Sequence, residues 1–229
     1  MSNEIVNVQE RIAQQLALQQ EQAAGLRTTG NFISFKNGNM KVNGQPVPNN
    51  TAEIRIFAVI PERAWYDGGF DPDSPQSPAC YSLGTSGVPH PEAASPVAAT
   101  CKDCPKNKWG TAPPRPGSDK PGRGKACRES ARVICSPAAL NIKSAPLYQA
   151  KFPVTSLSTV DAFVNRCNQM GKLYGEFINT MNVIEDKKSF FKIHLTIKEL
   201  SSDLDPAEVL LRQEEAIELA MEPYPVFED

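Results

Sequence analysis

The chain is poor in aromatic residues (7%), has only two histidines among 229 residues, and contains no run of 18 apolar residues. The last absence excludes a membrane-spanning helix, and the scarcity of histidine leaves acid–base chemistry few actors. Also missing are an H-E-x-x-H, an H-x-E ahead of C-x-x-C, a P-loop, a G-x-S-x-G elbow and a clustered acidic triad. These absences predict a protein that is not an enzyme. The N-terminus has no apolar signal core, because Gln14, Gln15, Gln19, Gln20 and Gln22 interrupt its pattern. An intracellular protein with reduced thiols is therefore expected. Nor is there an overall basic excess: 24 Lys and Arg oppose 26 Asp and Glu, for a formal charge of -2.

What is present is unevenly placed. Residues 101–132 carry nine bases against three acids, net +6, whereas residues 199–229 carry ten acids against the single base Arg212, net -9. A neutral chain with a basic middle and an acidic end can bind a polyanion and still control that binding. Hydrophobic residues make up 40% of the chain, and with its glycines this is a globular composition.

The periodicities predict an α+β fold, mainly antiparallel. Ile5, Val8, Ile12 and Leu16 mark a helix over 3–24, read as a surface helix with oligomerisation or partner binding as the alternative. Strands are expected around Phe32–Phe35 and Met40–Val42, with Asn-Gly turn signals, and over Ala52–Ile60, stopping at Pro61. Further strands fall at Ala131–Cys135, Leu147–Phe152, Phe177–Ile184 and Phe190–Ile197. A helix capped by Ser156 or Ser158 ends near Gly171, and another runs from Asp205-Pro206 to about Ala220. Between them, residues 72–122 hold 11 of the 20 prolines, which makes ordinary helix or strand there unexpected. So long an irregular segment needs a tie.

The cysteines supply one. Cys101-Lys102-Asp103-Cys104 aims two thiolates at one point, with Cys80 21 residues upstream and Cys127 23 downstream. Four thiolates suit one tetrahedral, structural Zn2+ that staples the Pro/Gly-rich region. His90, between two prolines, is the reserve ligand. Cys135 and Cys167 lie in apolar contexts and read as core, and His194 as a core or surface residue.

Lys106, Lys108, Trp109, Arg115, Lys120, Arg123, Lys125 and Arg128 put cations around one indole on that stapled loop. Cations neutralise phosphates and an indole offers a face to an unpaired base, so the pattern favours single strands over duplex. Trp65, Tyr66 and Phe70 join the candidates. The alternative is that Trp109 packs on the zinc knuckle and the lysines are only solvated. At the C-terminus, Tyr224, Phe227, Glu228 and Asp229 combine aromatics with acids as a nucleic-acid strand does. That tail is expected either to visit a basic groove or to present itself to partner proteins.

Cys80-Tyr81-Ser82 with Gly87 and Pro89, the run Cys101–Gly110 (CKDCPKNKWG) and Gly122–Cys127 (GRGKAC) resemble a zinc-containing group of bacteriophage single-stranded-DNA-binding proteins. The resemblance covers roughly residues 30–200. It implies an OB-like barrel with a zinc-bearing insertion, placed here over 27–204 and at 72–127, followed by an acidic helix and tail at 205–229; the N-terminal helix, at 1–26, is read from its own periodicity and is no part of the family pattern. The resemblance also implies single-stranded DNA as partner, a role in phage replication or recombination, tail-mediated contacts with proteins of those processes, and the cytoplasm of an infected host. A homo-oligomer is compatible with this reading. The rival is a zinc-ribbon-like regulator that docks on a polymerase or host protein.

Overall fold

The computed structural model describes residues 31–68, 76–114, 120, 122–187, 189–201 and 203–225. The predicted helix over 3–24, together with Phe70, Arg115, Phe227, Glu228 and Asp229, lies outside the described residues. The elements are β1 (Phe32–Ser34), β2 (Lys41–Val42), β3 (Gln45–Pro46), β4 (Thr51–Trp65), β5 (Cys80–Leu83), β6 (Arg128–Pro137) and β7 (Tyr148–Pro153), then α1 (Leu157–Met170), β8 (Phe177–Asp186), β9 (Phe190–Leu200) and α2 (Pro206–Met221). This is an α+β fold in which two helices accompany a strongly curled, half-barrel sheet. The sheet order is β3-β2-β1-β7-β6-β4-β8-β9, with β5 also paired to β4. Every pairing is antiparallel except β1 with β7.

Strand β4 organises the sheet. One of its edges pairs with β6 from Ile54 to Ala64. Its other edge is shared between β8, at Thr51–Ile54, and β5, at Glu62–Trp65. A register shift between Ile56 and Ala58 marks a bulge, which sharpens the local twist. The strand was expected to stop at Pro61, yet it runs through to Trp65. The Pro61 carbonyl accepts from Gly84 N on the β5 side (2.9 Å), so the missing N–H of Pro61 faces that same edge, where β5 has ended at Leu83. Proline is tolerated where no ladder bond is lost. The region over 72–122 likewise departs from expectation, since it contributes the four-residue strand β5 and a 3-10 turn at Pro105–Asn107.

Alternation divides the side chains between two faces. One gathers Ile54, Ile56, Val133, Phe152, Phe177 and Met181 against Val160, Phe163 and Cys167 of α1. The other places Phe57, Ala58 and Ile134 under Val209, Ala216 and Ala220 of α2. Gly175 lets α2 approach: a Cβ there would stand 2.6 Å from Phe57 and 2.9 Å from Val209. Cys135 and Cys167 are fully buried, and burial pushes both thiols up to about 12.

Local signals are visible in the turns and caps. Asn43 and Gly44 both have positive φ, at 49° and 82°, as the two-residue turn joining β2 to β3 requires. Gly171, at φ 61°, ends α1 with its N–H on Asn168 O (3.1 Å) and Lys172 N on Cys167 O (3.1 Å). Asp205 caps α2 by accepting from Ala207 N at 2.9 Å. Ser156 stands at the N-cap of α1, but its hydroxyl accepts from Ile193 N of β9 instead (2.9 Å), tying helix to sheet.

Candidate functional site

The ends of β4, β5 and β6 bring two of the predicted cysteine positions, Cys80 and Cys127, into one neighbourhood. Trp65 of β4 pairs with Cys80 of β5, while Ala64 pairs with Arg128 of β6, just after Cys127. Backbone bonds then carry the C-x-x-C turn to the same place. Cys127 N donates to Lys106 O (2.8 Å), Asn107 N to Cys104 O (3.0 Å), and the Asn107 amide to Cys101 O (2.8 Å). Cys101 N donates to Gly87 O at 2.8 Å, which anchors the turn to the segment after β5.

Cys80, Cys101, Cys104 and Cys127 line a single void of about 20 Å3, with Trp65 and Arg63 also on its wall. A space of that size holds one water-sized sphere. Burial raises the Cys80 thiol above its usual value, partly offset by a backbone hydrogen bond from Val97. Burial, followed by the charges of the other three thiols, pushes Cys127 up to about 12. Four ionisable thiols facing one void can share a cation that relieves their mutual repulsion. Among the described residues, however, no group of three or more His, Cys, Asp or Glu side chains is drawn into metal-binding geometry. His90 does not line the void. Its Nδ1 lies 3.0 Å from the Tyr81 hydroxyl and accepts from Glu92 N at 3.2 Å, with its ring stacked on Tyr81.

Beside the void lies a larger cleft of about 260 Å3, lined in part by Trp65, Tyr66, Asp67, Lys106, Thr111 and Arg128. It unites residues from β4, from the C-x-x-C turn and from the start of β6. The Lys106 ammonium sits 4.6 Å from the centre of the Trp65 ring. Trp109, on the adjoining loop, is 78% exposed, so it does not pack on the thiols. The loop is held in shape from below: Gly110, Thr111 and Ala112 all donate backbone N–H groups to Gly124 O, and Ala126 N donates to the Thr111 hydroxyl (3.0 Å). Lys125 stands 5.9 Å from the Trp109 ring and also pairs with Glu129 at 3.0 Å. That hydrogen bond, with the Lys125 and Arg63 charges, holds the Glu129 carboxyl below its usual range. Lys108, Lys120, Arg123 and Arg128 are exposed.

A third cluster was not anticipated. Glu62 is 2% exposed, on the α2 side of the sheet. Its carboxylate accepts from Arg132 Nε (2.6 Å) and the Tyr224 hydroxyl (2.6 Å), and pairs with Lys151. Arg132 Nη1 donates to Ala220 O (3.1 Å) and Glu222 O (2.6 Å), clamping the chain as it leaves α2. The Tyr224 ring packs edge-on to Tyr81 at 5.0 Å and lies under Arg132 at 4.7 Å. Ser77 donates to Pro225 O. Burial raises the Tyr66 phenol, and a hydrogen bond with Tyr224 reinforces the shift, so the cleft and the C-terminal segment share a contact. The described part of the tail, residues 222–225, is therefore anchored through Tyr224. Period two along β6 would have set Arg132 beside Ser130 and Ile134, but ending the strand at Pro61 left Glu62 off the sheet.

Burial opposes ionisation of Glu62, yet Lys151, Arg132 and the hydrogen bonds outweigh it, holding the carboxyl below its ordinary 4.5. A lowered folded-state pKa contributes stability that is complete above the ordinary value and fades as pH falls through the depressed one. Glu62→Gln leaves Arg132 buried without its counter-charge and is expected to cost about 3–5 kcal/mol near neutral pH. In urea denaturation the gap between wild type and variant should narrow as the solution is acidified below pH 4.5. A gap that is absent at neutral pH, or that persists unchanged in acid, refutes this account.

No family model, no curated protein and no solved structure matches this chain.

Proposed function

We propose that the chain is a largely sequence-nonspecific single-stranded-DNA-binding protein acting in phage DNA replication or recombination. Its scaffold is an OB-like barrel, and one structural Zn2+ staples its long insertion. The observation that carries the reading is the cleft in which Trp65, Tyr66, Lys106 and Arg128 converge from three parts of the chain, beside the exposed Trp109. Flat rings next to cations suit unpaired bases and their phosphates. Strand order adds support. Numbered along the chain, the five long strands β4, β6, β7, β8 and β9 lie in the order 3-2-1-4-5, with α1 between the third and fourth. That arrangement suits a partly open OB-like barrel, in which the face of strands two and three and the neighbouring loops hold oligonucleotides.

The donor set around the small void fits zinc: four thiols, no carboxylate among its lining residues, and a backbone lattice that already joins Cys101, Cys104 and Cys127. Cys80, Cys101, Cys104 and Cys127 would hold the ion, whose role here is to close the insertion. Protein purified without chelator is expected to carry one zinc per chain. Cys101→Ser should lose the metal and open residues 72–127 to proteolysis while β6–β9 stay protected. Metal-free wild-type protein would remove the site, and loss of zinc in His90→Ala with retention in Cys80→Ser would move a ligand to His90.

Binding to oligothymidylate should exceed binding to duplex and fall steeply with salt, roughly 0.7 in log–log slope for each phosphate neutralised. Trp109→Ala is expected to weaken binding about tenfold with little change in slope, because stacking releases few counterions. Equal affinity for duplex and single strand sinks the proposal. No binding at low salt would favour a protein-docking regulator.

Tyr224 and Glu222 lie over Arg132 and Lys151, on the outward side of β6 and β7. In the OB-like reading this is the oligonucleotide face, so the C-terminal segment competes with the strand and, once displaced, is free to meet replication or recombination proteins. A chain lacking residues 222–229 keeps the Glu62–Arg132–Lys151 trio and should bind single strands more tightly, most visibly at low salt. Unchanged affinity would reduce the segment to a structural clamp.

A further inference from the structure

The turn between β8 and β9 carries a feature that no packing among the described residues explains. Phe190 is 90% exposed and has φ 68°, while the next residue, Phe191, packs against the turn at Gly38. Both properties are unfavourable within the folded chain. A bulky residue in the left-handed region is a rare and strained conformer, and a phenyl ring in water forgoes the gain of burial.

Contacts among the described residues of the turn nevertheless support that conformation. The Asp186 carboxylate accepts from Ser189 N (2.8 Å) and from the Ser189 hydroxyl (2.7 Å), and pairs with Lys192 (3.0 Å). Asp186 is also the cross-strand partner of Phe190, so the residue that fixes the turn sits directly opposite the ring. The ring is thus displayed beside a hydrogen-bonded stem.

We infer that Phe190 is a base-stacking residue, a contact for single-stranded nucleic acid additional to the cleft at Trp65 and Trp109. The inference rests on the single-strand reading given above. The character of the tip favours a base over a protein pocket. A protein hot spot is an aromatic set within a surrounding patch that excludes water. Phe190 instead stands among Asp186, Lys187, Ser189 and Lys192, with Lys187 exposed and Ile184 on the same sheet face as a single apolar neighbour rather than a surrounding patch. A lone flat ring among polar groups with a cation beside it suits a base face and its phosphate.

The full chain and a fluorescently labelled oligothymidylate provide the test, read by anisotropy across a salt series. Phe190→Ala should weaken binding by roughly 5- to 150-fold, the span for one stacked base, with the salt slope unchanged. Phe190→Trp should retain affinity, whereas Phe190→Leu, apolar but not flat, should resemble alanine. Phe190→Gly relieves the positive φ, so it should match or exceed wild type in thermal stability while binding as poorly as Phe190→Ala. That combination separates stacking from a structural role. Full affinity in Phe190→Ala, in the presence of a clear loss in Trp109→Ala, overturns this inference and leaves the wider reading standing. Equal binding by Phe190→Leu and wild type also overturns it, since a generic apolar contact would then suffice. Absence of wild-type binding at low salt overturns both.

Discussion

Strand β4 must satisfy two partners on one edge, and the architecture follows from how it does so. β8 occupies the first four residues of that edge and β5 the last four. A strand that changes neighbour midway has to coil, and the bulge near Phe57 supplies the extra twist. The curl gives the sheet two usable faces, one filled around α1 and the other covered by α2 and the segment after it. It also sends the far end of β4 beyond the helices, where the long insertion begins and returns.

The polar groups at that end are arranged so that charge is either paired in the interior or displayed at the surface. Glu62 and Arg132 are buried and the exposed Lys151 reaches Glu62 from the surface, a trio whose remaining hydrogen-bonding capacity is taken up by Tyr224 and by carbonyls at the end of α2. Such a trio is weak evidence of net stability, but breaking it leaves an uncompensated charge, so it fixes where the C-terminal segment lies. A few residues away, the bases of the insertion stay near the surface around two indoles. The hydrogen bond between Tyr66 and Tyr224 joins the two regions.

Much was legible in the linear order of residues, because the signals concerned were local. Apolar alternation announced β6, β7, β8 and β9, Gly171 and Asp205 announced helix ends, and Asn43-Gly44 announced a turn, each through backbone preferences that need no distant partner. The spacing of Cys80, Cys101, Cys104 and Cys127 singled out the residues that line one void. The run of cations around Trp109 likewise marked an exposed loop.

Other features depended on pairing across the chain. Whether β4 passes through Pro61 turns on which edge lacks a partner, and that is settled by where β5 ends. Glu62 becomes a buried anion only because Arg132, 70 positions later, and Tyr224, 162 positions later, arrive beside it. The exposure of Phe190 likewise reflects a turn closed by Asp186, since an Ile, Leu or Phe in a strand pattern gives no sign of facing water. Composition, local backbone preference and short-range spacing determined the elements and the candidate cysteines. The tertiary structure decided which edge, which face and which charge partner each residue received, because burial and ion pairing are properties of neighbours in space.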